Sequence, residues 1–516
     1  MAEDTNGPGD FDDIEFEELD LGELAGEAEN YDITLEESGL RLNLGAAPEG
    51  ENGRGDGAPV ERPVTRTDLE ELARVEAELA LRWPETKIDP TLERVEMVMD
   101  VLGEPQMTYK VIHVAGTNGK TSTVRMVDSL LRALGHRVGR TTSPHLQQVT
   151  ERIGIDGTPI HPADFVRIYR EILPAVEMVD GRTGQKLSYF EFLTCMAFAA
   201  FADAPVDVAV IEVGMGGRWD ATNVVDADVD VITPVGIDHT EYLGETIAEI
   251  AGEKAGIVRS PEAVTVISDQ DPQAMRVLLE RCVEVGSPVA RLGSEFGVEE
   301  AGVAVGGQTL TLQGLSGTYD GIFLPLSGPH QARNSAVALA AVEAFSGAGR
   351  ERPLDADSVR RGFAAVTSPG RLERVRATPT TFIDATHNPH GAHALADALS
   401  NDFDFTRLIG VLGVLGDKDA AGIFAALEPV LTEVVITQNS SPRARDAFEL
   451  AEEAREIFGD ERVHVVENLP GAYELAVELA EDALAEVGVQ SGSGIIITGS
   501  VVTAGEARAL FGKDPA

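Results

Sequence analysis

Cysteine is scarce in this chain of 516 residues: Cys195 and Cys282 are too few for a disulfide framework and wrongly spaced for a zinc site. Both are expected to be buried thiols of a reducing cytoplasm. No run approaches the roughly eighteen uncharged apolar residues of a spanning helix, so no membrane protein is expected although 43% of the chain is apolar. The opening MAEDTNGPGDFDDIEFEELD lacks the basic and apolar regions of a secretory signal, which leaves export without support. Positive charge is also short, 41 Lys and Arg against 87 Asp and Glu, for a formal net charge of −46. Nucleic acid and anionic membranes would be repelled by such a surface and are not expected partners. A free nucleotide would be repelled as well, so local positive features must do any capturing.

What is present changes along the chain. Residues 1–60 hold 18 acids against Arg41 and Arg54, interspersed with Gly, Pro and Asn. Such a segment buries too little apolar area to offset chain entropy, and residues 1–66 are expected to be a disordered acidic tail. From about Asp68, LEELARVEAELALRW repeats apolar residues at three and four, an amphipathic helix. KVIHVA then reads as a strand, followed by a glycine loop and the helical pattern STVRMVDSLLRALG. VDVAVIEVG, VDVITPVG and AVTVIS are further continuous apolar runs between helical stretches, the mark of a parallel sheet covered on both faces. Residues 291–326 read as a short β meander. After SPGRLE, TTFIDAT, RLIGVLGVL, EVVITQ, RVHVVE and GIIITGS form a second series, a doubly wound unit of about five strands. The expected fold is α/β: a P-loop-type parallel-sheet domain over 67–366, then a smaller Rossmann-like domain over 367–516.

The strongest chemical signal is Gly116-Thr117-Asn118-Gly119-Lys120-Thr121-Ser122, set between a strand and a helix. There backbone N–H groups and a helix N-terminus can face phosphates, and Lys120 adds a point charge for the β and γ phosphates. The match to the Walker pattern is partial, because Val114 stands where an earlier glycine is asked for. Glu212 ends a buried strand, where a carboxylate is costly unless it meets a cation, and His239 stands at the end of the next such strand. Singly, Glu212 could pair with an arginine and His239 could be a satisfied loop histidine. Together with the Lys120 loop they read as a Mg²⁺ site, since this ion takes few protein ligands and fills its shell with phosphates and water. Lys254, read alone, is a solvated side chain or a helix-terminal charge.

The segments GTNGKTS, TTSPHLQQVTERI, YFEFLT, EVGMGGRWDATNVV, GIDHTEYLG, IAGEKAGI, GPHQARNSA, GRLE, DATHNPHGA and GVLGDKD follow one another in this order. In this the chain resembles the folylpolyglutamate synthase/dihydrofolate synthase family of the Mur ligase superfamily. The resemblance implies a carbon–nitrogen ligase that joins L-glutamate to dihydropteroate, to tetrahydrofolate or to both, through an acyl phosphate, giving ADP and phosphate. It implies Ser143, Glu212 and His239 as Mg²⁺ ligands and Lys254, as a carbamate, as a further one; a monovalent cation is the other ion considered. Asn334, Arg371 and Asp384 join Gly116 to Ser122 as ATP contacts, and Lys120, Lys254 and His387 are the catalytic candidates. Ser188, Tyr189, Phe190, Glu191 and Trp219 stand where the family binds its pterin, although Phe190 could equally be simple core. A cytoplasmic monomer is expected.

Two departures touch details. Ala385 stands where many members have glycine, which would stiffen that loop. Thr121 also replaces a common glycine, as in the related cell-wall amino-acid ligases. A ligase of that class is the alternative reading, though it would need a further N-terminal domain for a sugar nucleotide. A nucleotide-regulated binding protein without turnover is a third reading, with no use for Lys120, Glu212, His239 and Lys254 together.

Overall fold

The computed structural model describes residues 31–36, 39–44, 62–84, 89–349, 352–487 and 492–516. The chain divides into two units, Met1–Arg62 and Pro63–Ala516. In the first, Tyr31–Glu36 and Gly39–Leu44 pair as an antiparallel hairpin, with Ile33 opposite Leu42 and Leu35 opposite Leu40. The expected disorder of residues 1–66 otherwise falls almost wholly outside the described residues. Helix Arg66–Ala80 begins at the Thr65 cap, where the Thr65 hydroxyl and Asp68 carboxylate satisfy each other's backbone N–H.

Among the described residues the second unit holds three sheets. The largest has eight strands in the order 289–291, 264–267, 229–232, 110–115, 208–212, 138–141, 153–155, 158–159, parallel except for the last two. Its central strand Lys110–Ala115 is flanked by Val208–Glu212 and Val229–Ile232, so three neighbouring carboxyl ends open onto one crevice. Residues Val111 to Ala115 are all buried, as a strand covered by helices on both faces requires. Helix Pro329–Phe345 is buried nearly all round, which explains its lack of a polar face.

Strands Gly297–Ala304, Gly307–Gln313 and Thr318–Leu324 form the meander expected over 291–326. The third sheet runs 373–377, 380–383, 493–498, 407–412, 433–438, 463–468. It is parallel apart from its first, antiparallel edge strand, which begins at the last residue of SPGRLE. Both cysteines are buried and free. No described helix is long and apolar enough to cross a membrane.

Candidate active site

The phosphate loop is shaped by close approach. Gly116 has φ +147°, and a Cβ there would lie 1.8 Å from Thr233 Oγ1, so only glycine fits. The Thr117 and Asn118 N–H groups donate to Pro234 O at 2.9 and 3.3 Å, tying the loop to the neighbouring strand end. Gly119, with φ +84°, caps helix Lys120–Ala133, and Asn334 lies against it. Lys120 folds back so that Nζ donates to Gly116 O at 3.2 Å and Thr117 O at 3.1 Å. Burial lowers its pKa, opposed by Glu212 and Asp238 and assisted by Arg371.

Glu212 is 2% exposed at the end of its strand. Thr121 donates to Glu212 Oε1 at 2.9 Å, so the residue that departs from the glycine pattern has a definite partner. Among the described residues Glu212 Oε2 is buried without a hydrogen-bond partner. Burial raises its pKa while Lys120, Thr121, Arg371 and the Ser143 backbone hold it down. An orphaned carboxylate oxygen facing a phosphate loop is suited to a hard cation, and Ser143 and His239 line the same cleft. The His239 imidazole is pushed down to about 4 by burial, which keeps it in the neutral form a metal ligand needs. Among the described residues no three His, Cys, Asp or Glu form a metal cage. An ion here would therefore take the Ser143 hydroxyl, phosphate oxygens and water beside Glu212 and His239.

Lys254 ends helix Ile247–Lys254 but is 4% exposed, not solvated. Its Nζ donates to Gly116 O at 2.7 Å, and burial, with Lys120 as a nearby like charge, brings it down to about 7. A substantial fraction is thus the free amine that carbamate formation requires.

Residues around the C-terminal sheet supply the opposite wall of a cavity of about 370 Å³. Arg371, Asp384 and His387 line it together with Lys120, Glu212, His239, Lys254 and Asn334. Asp384 accepts the Leu372 and Thr386 N–H groups, both at 2.8 Å, which fixes the Arg371 turn. His387 Nδ1 lies 3.0 Å from Ala385 O, an arrangement that places the proton on Nδ1 and leaves Nε2 as acceptor. Burial, then Lys418, lower its pKa.

The pterin candidates divide. Ser188 and Glu191 form a capping box for helix Tyr189–Asp203, and Glu191 is engaged by buried Arg94 at 2.8 Å. Tyr189 lies under the Arg152 guanidinium at 5.3 Å, and Phe190 lines a small chamber with Ser143, Arg152 and Glu212. Trp219 packs beside Gly216 in an apolar cluster.

Three residues that the sequence reading did not single out join the halves. Asp238 accepts from Asn388 Nδ2 and from Lys418 Nζ, both at 3.0 Å. Burial alone would raise this carboxyl, but His239, Lys418 and His387 hold it well below the usual range. All three lie in segments already quoted, GIDHT, DATHNPHGA and GVLGDKD, so the signal was there without a partner to give it meaning.

Comparison with known proteins decides the family. Residues 114–342 match the Mur ligase middle domain and residues 370–500 the Mur ligase glutamate ligase domain. Over 467 residues the chain is 59% identical to Mycobacterium tuberculosis dihydrofolate synthase/folylpolyglutamate synthase, covering 87% of this chain and 96% of that one. The chain belongs to the folylpolyglutamate synthase/dihydrofolate synthase family. The solved structure of M. tuberculosis folylpolyglutamate synthase complexed with ADP is similar to it at a TM-score of 0.84 and 58% identity, covering 87% of this chain and all of that chain. Escherichia coli FolC in complex with DHPP and ADP is similar at a TM-score of 0.73 and 31% identity, over 86% of this chain and 97% of that chain. The α/β architecture of the family is the architecture seen here.

Proposed function

We propose that this chain attaches L-glutamate to dihydropteroate, to tetrahydrofolate or to both, using ATP and releasing ADP and phosphate. Membership of the family makes it an ATP-dependent ligase that forms carbon–nitrogen bonds. The observation that carries the reading is one cleft lined by Lys120, Glu212 and Lys254 from one half and Arg371, Asp384 and His387 from the other.

The folate carboxylate takes the γ-phosphoryl group of ATP, forming an acyl phosphate and ADP. Lys120 and Arg371 offset the charge spread over the transferring group, an effect largest in the transition state. Ser143, Glu212, His239 and a carbamylated Lys254 would hold Mg²⁺, which when bound neutralises phosphate charge. The glutamate amine then attacks the acyl carbon, phosphate leaves, and His387 Nε2 accepts the proton. Asp238, held by Asn388 and Lys418 across the cleft, keeps the halves together so that water does not reach the acyl phosphate. Tyr189, Phe190 and Trp219 contact the pterin, while Ser188 and Glu191 act by fixing the helix that carries the first two. Domain limits of 67–366 and 367–516, a monovalent cation beside Mg²⁺, and a cytoplasmic monomer complete the proposal.

The test is to incubate the protein with ATP, Mg²⁺ and glutamate and either dihydropteroate or tetrahydrofolate, and to weigh the products. Addition of one or more glutamyl units to either acceptor, with matching ADP release, is expected. No glutamylated product from either acceptor would overturn the reading.

A further inference from the structure

The C-terminal helix Val501–Leu510 and the residues after it run against the loop Ser143–Glu151 of the other half. Gly505 comes so close that a Cβ would stand 1.9 Å from Leu146 O. Gln147 is gripped at both ends: Nε2 donates to Lys513 O at 2.8 Å and Oε1 accepts from Arg508 Nη1. Arg508 also donates to Asp514 O at 3.1 Å and to Glu373 at 2.9 Å. Phe511 packs edge-on against Tyr473, with ring centroids 5.0 Å apart.

Beyond this grip the chain reaches the phosphate-loop helix, where Arg125, 6% exposed, donates to Ala516 O. Arg125 lies among like charges. Arg140, 3% exposed, and Arg371 are like charges near it, and among the described residues Arg140 Nε and Nη2 have no hydrogen-bond partner. The carboxylates close by are already committed. Asp128 holds Arg140 at 2.8 Å and Arg132 at 3.2 Å, while Glu151 accepts the N–H groups of Leu146, Gln147 and Gln148. Burial first, then Arg140, brings Arg125 down to about 9. An acceptor arriving from the C-terminal segment meets a guanidinium that has no ion-pair partner among the described residues.

We propose that residues 511–516 are a strap that holds the Ser143–Glu151 loop and the phosphate-loop helix against the C-terminal half, with Arg125 and Gln147 as positioning residues. None of residues 511–516 lines the cleft. The strap acts on the two elements that carry Ser143 and Lys120, and only its kinetic consequence rests on the ligase reading.

The decisive measurement compares the full chain with a deletion of residues 513–516, following hydrogen–deuterium exchange of peptides covering 143–151 and 120–133 and ADP affinity by calorimetry. Neither readout needs turnover. The deletion is expected to speed exchange in both peptides, weaken ADP about tenfold, and raise the KM for ATP more than it lowers kcat. Gln147→Ala should give part of this effect, and Arg125→Met should give it where Arg125→Lys largely does not. Unchanged exchange and ADP affinity in the deletion variant would refute the strap. If that variant does not fold, unchanged exchange in Gln147→Ala refutes it equally. Loss of the ligase reading would show instead as no glutamylated product from the full chain, with the exchange difference still present.

Discussion

At the scale of single residues, the two buried lysines behave differently. Lys120 sits on the carbonyls of its own loop, so its charge is positioned before the nucleotide arrives. Lys120→Ala is expected to cost roughly 10²-fold or more in rate at saturating ATP, the scale of one preorganised charge-stabilising donor. Normal turnover by that variant, measured as ADP release, would remove the loop from the mechanism. Lys254 has a folded pKa of about 7 against an ordinary 10.5, so between those values the unfolded chain binds more protons. Stability therefore rises with pH across that window, and Lys254→Met should flatten the rise, as chemical denaturation at pH 7 and pH 9.5 will show. The neutral amine is also the form that takes up CO₂, so activation by bicarbonate should grow from pH 6 to pH 8. Lys254→Ala should bind ATP yet lose turnover. Electron density of an unmodified Lys254 in active crystals grown with ATP and Mg²⁺ would exclude the carbamate.

At the scale of elements, the strand–loop–helix of the phosphate site is the most sequence-determined part of the fold. Gly116 is the element's fixed point, because both its φ and the Thr233 side chain forbid a Cβ. Gly116→Ala should displace the loop, at a cost of roughly 1–3 kcal/mol for the backbone alone. ADP binding by calorimetry should be lost while circular dichroism stays close to that of the parent; retained affinity would show that the loop adapts. Strands such as Lys110–Ala115 and Val208–Glu212 are legible as apolar runs because their apolar residues are buried on both faces. Val138–Thr141, Ile153–Ile155 and Thr158–Pro159 are not: they are short, the first two are interrupted by Gly, and all owe their pairing to neighbours already in the sheet. Glu373–Ala377 is hidden for a related reason, being a charged edge strand that follows a turn. The site shows the same division. Glu212 and His239 stand out at strand ends, whereas Asp238 gains its meaning from Asn388 and Lys418, 150 and 180 residues further on. Such long-range pairing leaves no local pattern to read.

At the scale of the whole molecule, net charge sets how ATP and the protein meet. Residues 1–60 carry 18 acids and two arginines, a net −16 of the formal −46, and none of them lies in a motif of the cleft. The cleft is built from Gly116 onward, and the unit that holds it starts at Pro63. Removing residues 1–60 is therefore expected to leave kcat and melting temperature unchanged. Repulsion of the anionic nucleotide is a separate matter, since it acts through solvent and is governed by screening. At about 0.01 M salt the screening length is roughly 30 Å, so the acidic segment contributes to the field that an approaching ATP meets; at about 0.15 M it falls to roughly 8 Å. The truncated protein should then show a lower KM for ATP than the full chain at low salt, with the difference closing as salt rises to 0.15 M. Steady-state kinetics of both forms across that range, with free Mg²⁺ held constant, will measure it. A truncation that abolishes activity, or a KM difference that persists unchanged at high salt, would mean that the acidic segment acts by contact rather than by charge at a distance.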